Sequence, residues 1–203
     1  GAGKSTITAI LKFILKKKYG LELCVFSIDD FYKTKLERIK MSKKIHPLFR
    51  IRGVPGTHDL KLINTAINKL KAKNFKNFSI PRFDKSKDDR SKKNKWQRIK
   101  KAPDIIIFEG WCIGANHQKE LELKRHQNLI ERKYDSDFKW RRRVNNSLKN
   151  QYKKIFNKID KLVYLKAPSF NHIYEWRLLQ EQKMKLTSKS KKTMSKSRVR
   201  EFI

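Results

Sequence analysis

Apolar positions in this chain fall into two patterns, compact runs and spaced stripes, and the two alternate. Residues 7–16, ITAILKFILK, carry apolar side chains at helical spacing and predict a helix near the start. Residues 21–28, LELCVFSI, form a short run rich in strand formers that suits a buried parallel strand. Residues 33–45 are basic and weakly helical, and the Pro and Gly content around 46–59 predicts a loop. Thr57 is placed to cap the next helix, where Leu60, Ile63, Ile67 and Leu70 share one face. A short strand is expected within 76–83, followed by an exposed polar and basic loop over 85–95. In residues 104–111, DIIIFEGW, four apolar residues run into an acid and a glycine. Beyond them the pattern predicts helices over 117–132 and 138–159, a strand over 161–165 closed by Pro168, and a helix over 173–184. Residues 185–196 have only Leu186 and Met194 as apolar anchors and read as a mobile loop, with a short helix opening near Ser195. Strands alternating with helices predict an α/β fold, a parallel sheet flanked by helices on both faces. No repeat or linker divides the 203 residues, so a single domain is expected.

The chemistry starts at the first six residues, Gly1-Ala2-Gly3-Lys4-Ser5-Thr6, the second half of a phosphate-binding loop G-x-x-x-x-G-K-[ST]. Glycines let backbone N–H groups close on phosphate oxygens, and Lys4 can reach the β- and γ-phosphates. The Ser5 hydroxyl is a hard oxygen ligand of the kind Mg²⁺ needs. The following helix offers its N-terminus to an anion. The motif's first glycine and the strand before it would precede Gly1, so the chain reads as one P-loop domain incomplete at both ends, cut inside the loop and stopping mid-element at Ile203.

The strand over 104–109 ends in Glu109 and resembles a Walker B strand, which sets a carboxylate beside the phosphate loop to hold Mg²⁺ directly or through water. The strand over 21–28 ends in Asp29-Asp30-Phe31-Tyr32, and carboxylates at the carboxyl end of a parallel strand lie at the rim where ligands bind. The same pair would also serve a solvated turn with an aspartate cap. With the loop, these strands predict the P-loop NTPase/kinase fold. Segments 22–28, 105–109 and 161–165 should be parallel neighbours, with Asp29 and Glu109 at the rim of Gly3-Lys4-Ser5.

Composition narrows the partners. No stretch approaches the roughly 20 apolar residues of a membrane span, and the visible start shows no signal peptide. Cys24 and Cys112 lie in apolar runs without metal-ligand spacing, which fits buried free thiols in a reducing, cytoplasmic compartment. The formal charge is +33, from 52 basic and 19 acidic residues. A nucleic-acid surface is one reading of that charge. Against it, lysine outnumbers arginine 38 to 14, the lysines are spread along the whole chain, and no aromatic–basic alternation of an RNA module is present. Nucleic acid is therefore the less favoured partner, and anionic small substrates fit the same charge.

The segments GAGKST, SIDDFYK, RGVPGTHDL, IPRFDKS…DR, IIFEGWCIG, WRRRVNNSL and WRLLQEQK followed by TMS…VREFI occur in this order and span nearly the whole chain. Together they resemble the D-glycerate 3-kinase family and its fungal ATP-binding kinase-like relatives, cousins of uridine kinase, phosphoribulokinase and pantothenate kinase. The resemblance implies phosphoryl transfer from Mg·ATP to a hydroxyl of a small acceptor, D-glycerate above all. It implies ATP contacts from Gly1 to Thr6, with Lys4 and Ser5 foremost, and from Arg177 in a lid-like segment. It implies that Asp29 lies by the acceptor hydroxyl and that Glu109 is the acid after the Walker B strand, with Ser5 and Glu109 toward the metal. Asp30, Tyr32, Arg52, His58, Asp59, Arg82, Asp84 and Arg90 would shape the acceptor pocket.

Overall fold

Helix α1 (Lys4–Tyr19) opens the computed structural model, which describes residues 3–187 and 194–202. Gly1 and Ala2, and residues 188–193 of the expected mobile loop, lie outside the described residues. Lys16, Lys17 and Lys18 fill the last turn of α1, where cations suit the helix dipole. Gly20, at φ +68°, stops the helix in a left-handed conformation, its N–H donating to the Lys16 carbonyl at 3.0 Å.

Strand β1 (Leu23–Ser27) follows and leads into a short 3₁₀ turn. Helix α2 (Lys35–Lys44) starts from a capping box in which the Thr34 and Glu37 side chains each accept from the other's backbone N–H. Helix α3 (Leu60–Leu70) buries Ile63, Ala66, Ile67 and Leu70. Its cap is Asp59, whose side chain accepts the Leu62 N–H at 3.1 Å. Thr57, expected in that role, instead donates to the Val54 carbonyl and accepts the Gly53 N–H, closing the preceding turn. Strands β2 (Phe78–Ile80), β3 (Phe83–Asp84), β4 (Asp89–Arg90) and β5 (Gln97–Ile99) come next, with β2 antiparallel to β5 and β3 antiparallel to β4. The expected loop over 85–95 therefore contains half of a small hairpin.

Strand β6 (Ile105–Glu109) lies parallel to β1 in the register Leu23–Ile105 through Ser27–Glu109. Cys24, Phe26, Ile28 and Phe31 from the β1 side pack with the α3 face, Ile80, Cys112, Tyr152 and Ile155 into one core. Both cysteines are buried free thiols, and burial pushes Cys24 up to about 11 and Cys112 up to about 12.

The helix expected over 117–132 is broken into α4 (Glu120–Leu123) and α5 (Leu129–Tyr134) because Asn128 starts a new helix, accepting the Glu131 N–H at 2.9 Å. The helix expected over 138–159 is α6 (Lys139–Ser147), a π turn over 148–152, and α7 (Lys153–Phe156). The WRRRVNNSL segment anchors this region. Buried Arg141 donates through Nε to the buried Asp135 carboxylate at 2.8 Å and pairs with Glu131 at 3.2 Å. Buried Asn145 exchanges two hydrogen bonds with the Gln118 backbone.

The strand expected over 161–165 does not form. The segment is irregular, with Val163 and Tyr164 80% and 82% exposed, and among the described residues no strand pairs with it. A strand without a neighbour leaves its backbone N–H and C=O groups unpaired, so apolar composition alone cannot hold it. Helices α8 (Phe170–Thr187) and α9 (Lys196–Phe202) complete the chain. The Ser195 hydroxyl accepts the Arg198 N–H at the start of α9. No helix is long and apolar enough to cross a membrane among the described residues. The chain divides into two compact units, one of Gly1–Ala9 and Val163–Ile203, the other of Ile10–Leu162.

Two details of the second unit carry stability. Gly110 follows β6 where a Cβ would collide with the Ile28 side chain and crowd Ile113. Gly110→Ala is expected to destabilise by about 1–3 kcal/mol through overpacking, read from urea midpoints. His58 is 1% exposed, with Nδ1 2.6 Å from the Tyr152 hydroxyl, which also accepts the Gly56 N–H at 2.8 Å. Burial pushes its pKa down to about 4. Above the ordinary imidazole value the ring is neutral both folded and unfolded, and stability is full. As pH falls toward 4 only the unfolded chain takes the proton, and on the order of 3 kcal/mol is lost. Urea midpoints near pH 7.5 and 4.5 should therefore drop further in the wild type than in His58→Gln. An equal drop in both would assign the acid sensitivity elsewhere.

Candidate active site

The carboxyl end of the β1–β6 pair sets the geometry. Ser27 ends β1, and its hydroxyl accepts the Asp29 N–H at 3.3 Å, tightening the chain into the 3₁₀ turn. Successive side chains in such a turn diverge by about a third of a revolution, so Asp29 and Asp30 enter different surroundings. Asp30 is buried. It accepts from Arg82 Nη1 at 3.1 Å and from the Phe83 N–H at 3.2 Å. Burial pushes its carboxyl up, and these partners only partly offset that.

The Asp29 side chain is 29% exposed. One oxygen accepts the Tyr32 hydroxyl at 3.0 Å and the other accepts the Lys85 ammonium at 2.9 Å. Burial pushes this carboxyl up, but the Lys85 hydrogen bond and charge, joined by Tyr32, outweigh it and hold Asp29 below the usual carboxylate range. The neighbouring aspartates thus differ: Asp29 is a reachable anion and Asp30 a buried anchor.

Tyr32 is fixed from three sides. Its ring stacks on His58 at 4.5 Å and meets Phe83 edge-on at 5.3 Å, and its backbone forms an isolated bridge with His58. His58 is held in turn by Tyr152, within the π turn, an element that often marks functional sites. Glu109 stands in register with Ser27 at the same rim, half-buried. Its carboxylate enters no hydrogen bond or ion pair among the described residues.

The remaining acceptor-loop residues are tied to one another. Arg52 pairs with Asp88 and lies over the Phe83 ring. Asp88 also binds Arg38, which is 1% exposed and donates to the carbonyls of Lys33, Arg50 and Asp88. Arg90 pairs with Asp59 at 3.1 Å and donates to the Tyr32 carbonyl. Asp84 accepts from the Ser86 hydroxyl and from the Ser86 and Lys87 N–H groups, so its carboxylate holds the β3–β4 turn. The structure thus brings Asp29, Asp30, Tyr32, His58, Asp59, Arg82 and Arg90 into one network, with Glu109 on the adjacent strand.

Lys4, Thr6 and Arg177 belong to the other compact unit. Gly3, at φ +74°, enters α1, and its carbonyl accepts the Ile7 N–H at 2.9 Å. Lys4 is half-buried at the first position of the helix and Thr6 is exposed. The side chain of Ser5 lies outside the described residues. Arg177 sits within α8, pairing with the buried Glu181 at 2.6 Å, and Glu181 accepts the Met194 N–H ahead of α9.

Four contributors were not singled out from sequence: Arg38, Lys85, Asp88 and Tyr152. Lys85 stands inside the PRFDKS motif beside Asp84, so the motif held the signal. Arg38 and Tyr152 had none, since one lies in a basic helix and the other in a basic segment of 149–154. As a test of metal fit, Glu109 offers at the rim a carboxylate unengaged among the described residues, a hard oxygen donor that suits Mg²⁺.

No protein-family model matches the chain. Among curated proteins, it is 35% identical to the "Uncharacterized kinase mug58" of Schizosaccharomyces pombe over 211 residues, covering 100% of this chain and 74% of that protein. It is 31% identical to the "Probable ATP-dependent kinase TDA10" of Saccharomyces cerevisiae, covering 100% of this chain and 71% of that one. Among solved structures, the D-glycerate 3-kinase from Cryptococcus neoformans var. grubii superposes with a TM-score of 0.79 at 30% identity, over 98% of this chain and 71% of its own. With a parallel strand pair ending in acids, a phosphate-loop sequence leading into a helix, and this similarity along its whole length, the chain belongs to the D-glycerate 3-kinase family of P-loop kinases.

Proposed function

We propose that this chain carries the catalytic domain of an ATP-dependent kinase that phosphorylates a hydroxyl of a small carboxylated acceptor, D-glycerate being the foremost candidate. The observation that carries the reading is Asp29: a part-exposed carboxylate just past the end of β1, gripped by Tyr32 and Lys85 and two residues beyond Ser27, which faces Glu109 on the adjoining strand. Membership of the kinase family and the cation-rich loops around that carboxylate support it.

In this reading Lys4 and the loop amides bind the ATP phosphates. Ser5 and Glu109 are the residues that would hold Mg²⁺, which when bound would supply charge neutralisation on the phosphates. Asp29 accepts the proton of the acceptor hydroxyl as its oxygen bonds to the γ-phosphorus. The bond from that phosphorus to the β–γ bridging oxygen breaks, and ADP leaves. Tyr32 keeps the Asp29 carboxylate from rotating, and the stacked His58 keeps Tyr32 in place. Asp30 fixes Arg82 and the start of β3, so its part is architectural. Arg177 would add a further cation to the ATP phosphates.

The direct test is an ATP-consumption assay of the full-length protein with D-glycerate, other small hydroxy acids, nucleosides and pantothenate. Turnover with D-glycerate is expected, and turnover with nucleosides or pantothenate but never with D-glycerate would sink the assignment. The two aspartates should also separate. Asp29→Asn is expected to lower kcat by at least about a hundredfold with ATP affinity retained, since it removes a positioned base. Asp30→Asn should leave kcat much closer to wild type while lowering the urea midpoint, because it weakens a buried bond. Single-turnover kinetics with nucleotide titration reads the first effect. The reverse ranking would show the two carboxylates to be in exchanged roles.

A further inference from the structure

The arginines that could recognise an acceptor carboxylate are largely committed within the protein. Arg38 and Arg52 share Asp88, and Arg38 is buried. Arg90 bridges Asp59 and the Tyr32 carbonyl. Arg82 is divided between the buried Asp30 and Gln97. Withdrawing any of these from its partner would leave a carboxylate or carbonyl of the loop scaffold unpaired, which is costly where the group is buried.

Lys85 is different. It stands on the tight turn between β3 and β4, its side chain is 63% exposed, and its one hydrogen bond among the described residues is to Asp29. The turn itself is held by Asp84, so Lys85 is positioned by a rigid base but is not itself structural. An exposed lysine–carboxylate pair is weak in water, and another carboxylate can replace the first at little cost. Asp29 keeps its second anchor, Tyr32, when Lys85 leaves.

We propose that Lys85 is the acceptor-recognition cation of this site: its ammonium moves from Asp29 to the carboxylate of the incoming hydroxy acid, anchoring that acid and uncovering the Asp29 oxygen that meets the hydroxyl. The inference rests on the functional reading above and adds to it the residue that selects a carboxylated acceptor. It also ties selection to chemistry. With Lys85 in place Asp29 holds a proton poorly and has one oxygen blocked. With Lys85 on the substrate, both the geometry and the proton affinity of Asp29 suit a hydroxyl. A neutral alcohol has nothing to offer Lys85 and leaves Asp29 covered.

The experiment compares wild type, Lys85→Met and Lys85→Arg, all full-length, with D-glycerate and with its uncharged amide. Lys85→Met is expected to raise KM for D-glycerate at least about tenfold and to cut the preference for the acid over the amide by a similar factor, with KM for ATP unchanged. Lys85→Arg should retain most of the preference. An unchanged KM for D-glycerate in Lys85→Met overturns the proposal. So does a raised KM for ATP, which would make Lys85 a phosphate contact, or an equal loss with both acceptors, which would make it a general support of Asp29. Wild-type protein that turns over other acceptors but not D-glycerate overturns the functional reading, and with it the proposal. Wild-type turnover of D-glycerate with an indifferent Lys85→Met leaves that reading standing and removes only Lys85.

Discussion

The parallel pairing of β1 with β6 is the constraint on which the rest depends. Its register sets Ser27 opposite Glu109, so one acid ends a strand at the level where the neighbouring strand turns toward Asp29 and Asp30. Parallel strands cannot be joined by a tight turn, so everything between them has to be packed over their faces and ends. That intervening chain supplies α3, which covers the core, and the loops that carry Arg52, His58, Arg82 and Lys85. Gly110 lets β6 end hard against Ile28, keeping the rim tight where a side chain would push it open.

A chain with 52 basic and 19 acidic residues has few carboxylates to spend, and their placement organises the molecule. Asp88 gathers Arg38 and Arg52, Asp59 holds Arg90, Asp30 holds Arg82, and Asp135 with Glu131 holds Arg141. Buried arginine with its donors satisfied fixes loop backbone from several directions at once, which a lysine cannot do. Arg38 donates to three carbonyls on separate segments and so ties α2, the 47–50 turn and the β3–β4 hairpin together. Most lysines instead stay in solvent. Among the described residues, Lys85 is the one that lies on the candidate base.

The path from Tyr152 through His58 and Tyr32 to Asp29 is made of aromatic contacts and short hydrogen bonds. It carries no net charge, because burial keeps His58 neutral and pushes both tyrosine hydroxyls away from ionisation. A neutral, close-packed support holds a carboxylate's orientation without adding a second charge to compete with substrate. The buried scaffold thus fixes where Asp29 points, and the exposed side of the site decides what it meets.

Much of this was legible in the sequence, where local chemistry is self-sufficient. The helical spacing of Leu60, Ile63, Ile67 and Leu70, the run before Glu109 and the run before Asp29 each identify an element, because burial of one face or of a whole strand leaves a periodic trace. The Gly-Lys-Ser-Thr start and the loop motifs named the chemistry and the candidate residues. What sequence could not supply was pairing between distant positions. The run at 161–165 has strand composition, but a strand exists only with a neighbour to bond. The cap of α3 passed from Thr57 to Asp59 because the Thr57 hydroxyl was taken by the turn before it. Asp29 and Asp30 are the same residue type side by side. Tertiary contacts alone set one among Phe83 and Arg82 in the interior and left the other at the rim between Tyr32 and Lys85, since a carboxylate's role follows from the partners and solvent around it and sequence carries no record of either.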